Sequence, residues 1–190
     1  KLEGIIKYQD GTFPNEWPIG YMFQEPRLMP WLTVKQNVSI VTNQTSEELS
    51  HSEDLINEMD LTKYMNAFPS QLSGGMQRRV AIARAFVNKP KILLLDEPFI
   101  SLDMTVANLL RKMLIKLWEN QKTTIIFVTH DLREAIFLGD RILFLSKGPS
   151  KVIHDLRIDI DRPREIEDDQ MEKIRTNLMK THPEILSGKI

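Results

Sequence analysis

Ile92-Leu93-Leu94-Leu95-Asp96-Glu97-Pro98 is an aliphatic run that ends in two adjacent carboxylates and a proline. A short, unbroken apolar run with such an ending reads as a strand buried on both faces, as in a parallel sheet covered by helices. Asp96 and Glu97 then stand at the carboxyl end of that strand, where open α/β sheets collect their ligands. Just upstream the apolar period becomes helical: over 75–88, Ile82, Ala85 and Phe86 fall on one side, and the segment opens with Leu72-Ser73-Gly74-Gly75-Met76. A glycine-rich helix start and a strand-end acid pair thus follow one another across a short loop.

The same reading extends outward in both directions. Residues 104–119 carry Val106, Leu109, Leu110, Met113, Leu114 and Leu117 at helical spacing behind Asp103, which reads as an N-cap. Strands are expected over 123–128 and 141–145, with a short helix between them bearing Leu132, Ala135 and Ile136, and a Gly148-Pro149 turn after them. Residues 152–160 alternate weakly, and an acidic stretch leads into a last helix with Met171, Ile174 and Leu178. Toward the amino end, Ile19-Gly20-Tyr21-Met22-Phe23 reads as a strand that runs into Gln24 and is stopped by Pro26 and Pro30. Helices are expected over 34–41 and 47–59. Strands alternating with helices imply an α/β fold with a mostly parallel sheet and an inserted helical region.

Composition excludes several classes. With 42% apolar and 27% charged residues in 190, the chain can bury a sizeable core. Lys+Arg 25 against Asp+Glu 26 leaves no basic field to hold nucleic acid through counterion release. The aliphatic stretches are too short to span a bilayer, so a membrane role would be peripheral. No cysteine is present, which excludes disulfides and thiolate metal sites.

The candidate site residues suit phosphate chemistry. Ser73, Gly74 and Gly75 at a helix start offer backbone N–H groups and a positive dipole end with no side chains in the way. The plain alternative is an ordinary Ser N-cap. Asp96 could hold Mg²⁺ through water, and Glu97 could polarise a water that attacks a phosphate; two acids that merely end a strand are the plain alternative. His130 closes the strand Ile125-Ile126-Phe127-Val128-Thr129, where a neutral imidazole could donate one hydrogen bond and accept another. A surface or cap histidine would read the same way.

The order of these motifs resembles the ATP-hydrolysing subunits of ABC transporters. Gln71-Leu72-Ser73-Gly74-Gly75-Met76-Gln77-Arg78-Arg79-Val80-Ala81-Ile82-Ala83-Arg84-Ala85 is similar to the family's signature segment, with Met76 in place of the more usual Gln. Gly20-Tyr21-Met22-Phe23-Gln24-Glu25-Pro26-Arg27-Leu28-Met29-Pro30-Trp31-Leu32-Thr33-Val34, Leu138-Gly139-Asp140-Arg141-Ile142 and Arg162-Pro163-Arg164 resemble importers of nitrate, sulfonate and taurine. The resemblance implies a P-loop NTPase-like parallel sheet with an inserted helical subdomain. It implies ATP and Mg²⁺ as ligands, with Glu97 and His130 in catalysis, Asp96 and Gln24 at the metal, and Ser73, Gly74, Gly75, Gln24 and Asp103 at the nucleotide. It further implies pairing with a second ATPase subunit, membrane permease subunits, an indirectly coupled solute-binding protein, and a peripheral place on the cytoplasmic face of the cell membrane.

Its boundaries would be an N-terminal β region with the glutamine loop over 1–33, a helical signature subdomain over 34–90, a catalytic core over 91–150 and a C-terminal extension over 151–190. The departure is the G-x-x-x-x-G-K-[ST] phosphate loop, which does not occur in these 190 residues. The chain is therefore expected to be a fragment lacking that N-terminal part of the fold, inactive on its own. The family's phosphate-loop strand would lie between the strands expected at 123–128 and 141–145, leaving them standing apart or collapsed together. Two alternatives remain: a non-catalytic remnant that only binds partner subunits, and a soluble ABC ATPase of DNA repair or translation, disfavoured by the balanced charge and the lack of a long coiled coil.

Overall fold

Helix starts in this protein are set by side-chain caps. Thr33, Thr45, Ser73, Asp103, Asp131 and Asp168 each accept a hydrogen bond from a first-turn N–H of the helix that follows. Thr33 with Gln36 and Thr45 with Glu48 close full capping boxes. The computed structural model describes Gly11, residues 18–165 and residues 168–188. Most of the N-terminal β region expected over 1–33 before Pro18 lies outside the described residues.

In chain order the elements are β1 (Ile19–Met22), α1 (Val34–Ser39), α2 (Ser46–Glu58), α3 (Gly74–Phe86), β2 (Ile92–Asp96), α4 (Met104–Gln121), β3 (Thr124–Val128), α5 (Leu132–Leu138), β4 (Arg141–Leu145), β5 (Val152–Arg157) and α6 (Asp169–Thr181). β1 and β2 pair in parallel, with Met22 opposite Leu95, and β3 flanks β2 in the order β1-β2-β3. The chain forms two compact units, Lys1–Ile126 and Phe127–Ile190.

In the first unit the core gathers Met22, Val38, Leu55, Ile56, Met59, Ile82, Phe86, Leu93, Leu95, Leu110 and Leu117. Gly20 makes its tightest join possible: a Cβ there would sit 2.3 Å from Ala85 O and 2.7 Å from Leu93 Cδ1, so β1 lies directly against α3. Because α3 packs on β1, on α1 and α2, and on α4, the helical region and the strands form one body.

The second unit holds the antiparallel β4–β5 pair, with Arg141 opposite Arg157, and packs α5 on α6. The connection is short, closed by Ser146 N donating to Lys151 O at 2.9 Å, and so short a link can only return the chain antiparallel. Among the described residues β3 is assigned to the three-stranded sheet and β4 to the two-stranded one. Among the described residues no helix is long and apolar enough to cross a membrane.

Candidate functional site

Parallel pairing of β1 with β2 carries their carboxyl ends to one edge. From Met22 opposite Leu95, the next residues bring Gln24 alongside Glu97, and Gln24 Nε2 donates to Glu97 Oε2 at 3.2 Å. That bond leaves the amide's Oε1 as an acceptor, and Asp96, next to Glu97 in the chain, is the last residue of β2. Two oxygen donors at adjacent strand ends suit Mg²⁺, which keeps several waters and takes its remaining oxygens from a phosphate. Among the described residues no three His, Asp or Glu side chains converge as a protein-only metal cage would.

Glu97 itself has a left-handed backbone, φ 43°, and Ser101 another, φ 60°. For residues with a Cβ this conformation costs of order 1 kcal/mol or more each and persists only where the surroundings hold it. Here Arg78, in α3, supplies the hold. Its Nη1 donates to Gln24 O at 3.0 Å and Pro98 O at 3.1 Å, and its Nη2 to Ile100 O at 2.8 Å. The side chain is buried, and desolvation lowers its pKa from the usual arginine value. Phe99, between the two strained residues, is buried and carries the Arg111 guanidinium over its ring at 5.2 Å. Arg84, one helical turn and a half beyond Arg78, donates to Pro26 O and Arg27 O, so α3 grips the chain on both sides of Glu25.

Ser73 and Gly74 are exposed at the start of α3. Ser73 Oγ accepts from Met76 N at 3.3 Å, and a Cβ on Gly74 would meet no atom within 4 Å. Gly75 differs. It is buried, and a Cβ there would sit 2.7 Å from Val106 Cγ1 of α4. Its smallness serves the packing of α3 on α4, a role sequence reasoning did not assign. Asp103 is exposed and caps α4 by accepting from Val106 N at 3.0 Å, so the plain role read from its position is present.

His130 belongs to the second unit and is exposed. Its neighbours are held firmly: Thr129 Oγ1 donates to Glu134 Oε2 at 2.7 Å and accepts from Asp131 N at 3.0 Å, while Asp131 caps α5. His130 lines an open depression with Asp131, Arg133 and, from α6, Arg175 and Met179.

The first unit therefore joins Gln24, Glu97 and the α3 start through one guanidinium. Arg78 had no role in the sequence reading. The signal lay in its position: Arg78, Ile82 and Ala85 share one helical stripe, so a cation occupies a core place.

Comparison with known proteins decides the family. A family model described as ABC transporter matches residues 5–100. The chain is 39% identical over 161 residues to the aliphatic sulfonates import ATP-binding protein SsuB 2 of Pseudomonas syringae pv. tomato, covering 85% of this chain and 69% of that one. This protein belongs to the ABC transporter family. It is also 38% identical over 189 residues to an aliphatic sulfonates import ATP-binding protein SsuB of Bacillus cereus, covering 93% of this chain and 75% of that one. An uncharacterised ABC transporter ATP-binding protein of Methanocaldococcus jannaschii is 41% identical over 150 residues, with 77% and 56% coverage. Among solved structures, the ATP-binding cassette MJ0796, in a dimeric post-hydrolysis state bound to ADP and Pi, matches with TM-score 0.64 and 34% identity over 75% of this chain and 64% of that one. The chain thus spans just over half to three quarters of the length of these relatives.

Proposed function

We propose that this protein is the ATP-binding and ATP-hydrolysing subunit of an ABC importer for a small solute of the sulfonate, taurine or nitrate class. Two copies face each other on the cytoplasmic side of a membrane permease, and a solute-binding protein delivers the cargo. The observation that carries the reading is the Gln24–Glu97 hydrogen bond at the strand ends, with the open start of α3 tied to the same loops.

Each residue has a role in that scheme. Ser73 and Gly74 present backbone N–H groups and the α3 dipole to the γ-phosphate of a nucleotide held by the partner copy. Asp96 and Gln24 hold Mg²⁺, which when bound neutralises phosphate charge. Glu97 accepts a proton from the attacking water as its oxygen bonds to the γ-phosphorus and the bond to the ADP oxygen breaks. His130 orients that water and the γ-phosphate, and Asp103 lies on the loop that crosses to the partner.

The test is Glu97→Gln in the full-length protein. ATP binding is expected to persist while turnover falls about 10²-fold or more, the loss of a general base. Unchanged turnover would remove Glu97 from this role.

A further inference from the structure

The geometry points to Arg78 as a positioning residue that fixes Glu97 and Gln24 relative to the start of α3, so that engagement of α3 with nucleotide is felt directly at the general base. This inference rests on the role of Glu97 given above. It begins with what one guanidinium touches. Three backbone carbonyls from two separate loops, Gln24 O, Pro98 O and Ile100 O, lie 2.8 to 3.1 Å from its two terminal nitrogens. No carboxylate stands among these partners, so the contacts aim backbone and do not pair charge.

Both ends of the Gln24–Glu97 hydrogen bond are thereby held. Gln24 is gripped at its own carbonyl while its side chain donates to Glu97, and the turn that starts at Glu97 is gripped at Pro98 O and Ile100 O. Those two carbonyls lie between the left-handed residues Glu97 and Ser101. A strained turn of this kind relaxes when its external hydrogen bonds are lost, and relaxation would rotate the Glu97 side chain. The fork geometry is essential: a lysine keeps the charge but cannot serve carbonyls of two loops with two directed nitrogens. A glutamine keeps a donor but loses the reach and the charge. Displacements near 1 Å at a reacting group can cost up to about 10²-fold in rate, so a turn let go by Arg78 should show in turnover.

The full-length protein provides the test as a double-mutant cycle. Arg78→Gln is expected to lower kcat for ATP hydrolysis at least tenfold and to raise KM for Mg·ATP by a smaller factor, because the 97–101 turn carries the base while only the hold on Gln24 reaches the metal of the nucleotide. Arg78→Lys should recover little of the loss. In the Glu97→Gln background, Arg78→Gln should change the residual single-turnover rate less than twofold, since no base remains to be positioned. Circular dichroism and chemical denaturation report whether each variant is folded; Arg78→Lys, which keeps a buried cation, serves if Arg78→Gln does not fold.

Several results would overturn the inference. They are an unchanged kcat in a folded Arg78 variant, full rescue by lysine, or the same rate loss with and without Glu97, the mark of a purely structural role. Failure of the underlying reading is distinguishable, because there Glu97→Gln alone would leave turnover intact.

Discussion

Gly74 and Gly75 are neighbours with opposite requirements. A side chain at Gly75, expected from sequence to act only at the nucleotide face, meets Val106 at 2.7 Å, whereas one at Gly74 points into open space. Gly75→Val is therefore expected to destabilise the fold by about 1–3 kcal/mol through overpacking of α3 on α4, read as a lower urea midpoint. Gly74→Val should stay within about 0.5 kcal/mol of the parent, as exposed substitutions do, yet abolish ATP-dependent association of the full-length protein. A Gly74→Val protein that associates normally would separate the α3 start from nucleotide. Thr45→Ala removes the capping box of α2, which supplies none of the proposed site residues, and should cost about 1 kcal/mol of stability with no change in turnover. A turnover loss at constant occupancy would show that α2 does more than pack.

Among the elements, β3 is the most vulnerable. Among the described residues it pairs with β2 on one side only, and Ile126 and Val128 are each 53% exposed. Aliphatic edges of this kind invite pairing with another chain. Amide hydrogen exchange should be slow along Ile92–Leu95, enclosed by β1 and β3, and on the order of a hundredfold faster at alternate positions of Ile125–Val128. Equal protection in a soluble monomer would contradict the edge assignment. Most element positions were legible because caps, apolar period and proline stops are local signals; α3, β2 and α4 begin within a residue of where those signals put them. Long-range pairing was not legible in the same way. β4 reads as a strand of the parallel sheet, but the short 146–151 link forces it against β5, and only contact between distant loops discloses that Arg78 serves Gln24, Pro98 and Ile100.

At the scale of the whole molecule, the proposed function divides nucleotide recognition between two copies. In the proposed function the α3 start and the Gln24–Glu97 pair serve phosphate, and within residues 1–190 the sequence carries no G-x-x-x-x-G-K-[ST] loop to cradle the β- and γ-phosphates. The isolated 190-residue polypeptide is accordingly expected not to bind Mg·ATP at physiological concentration, and a micromolar Kd from equilibrium dialysis would contradict that. The most direct measurement is the association state of full-length Glu97→Gln protein with Mg·ATP, by light scattering after size exclusion. A stable ATP-bound dimer that reverts to monomer when Gly74→Val is added is the expected result. A Glu97→Gln protein that stays monomeric with ATP and turns over at the parent rate would contradict the assignment of Glu97 and of the α3 start together.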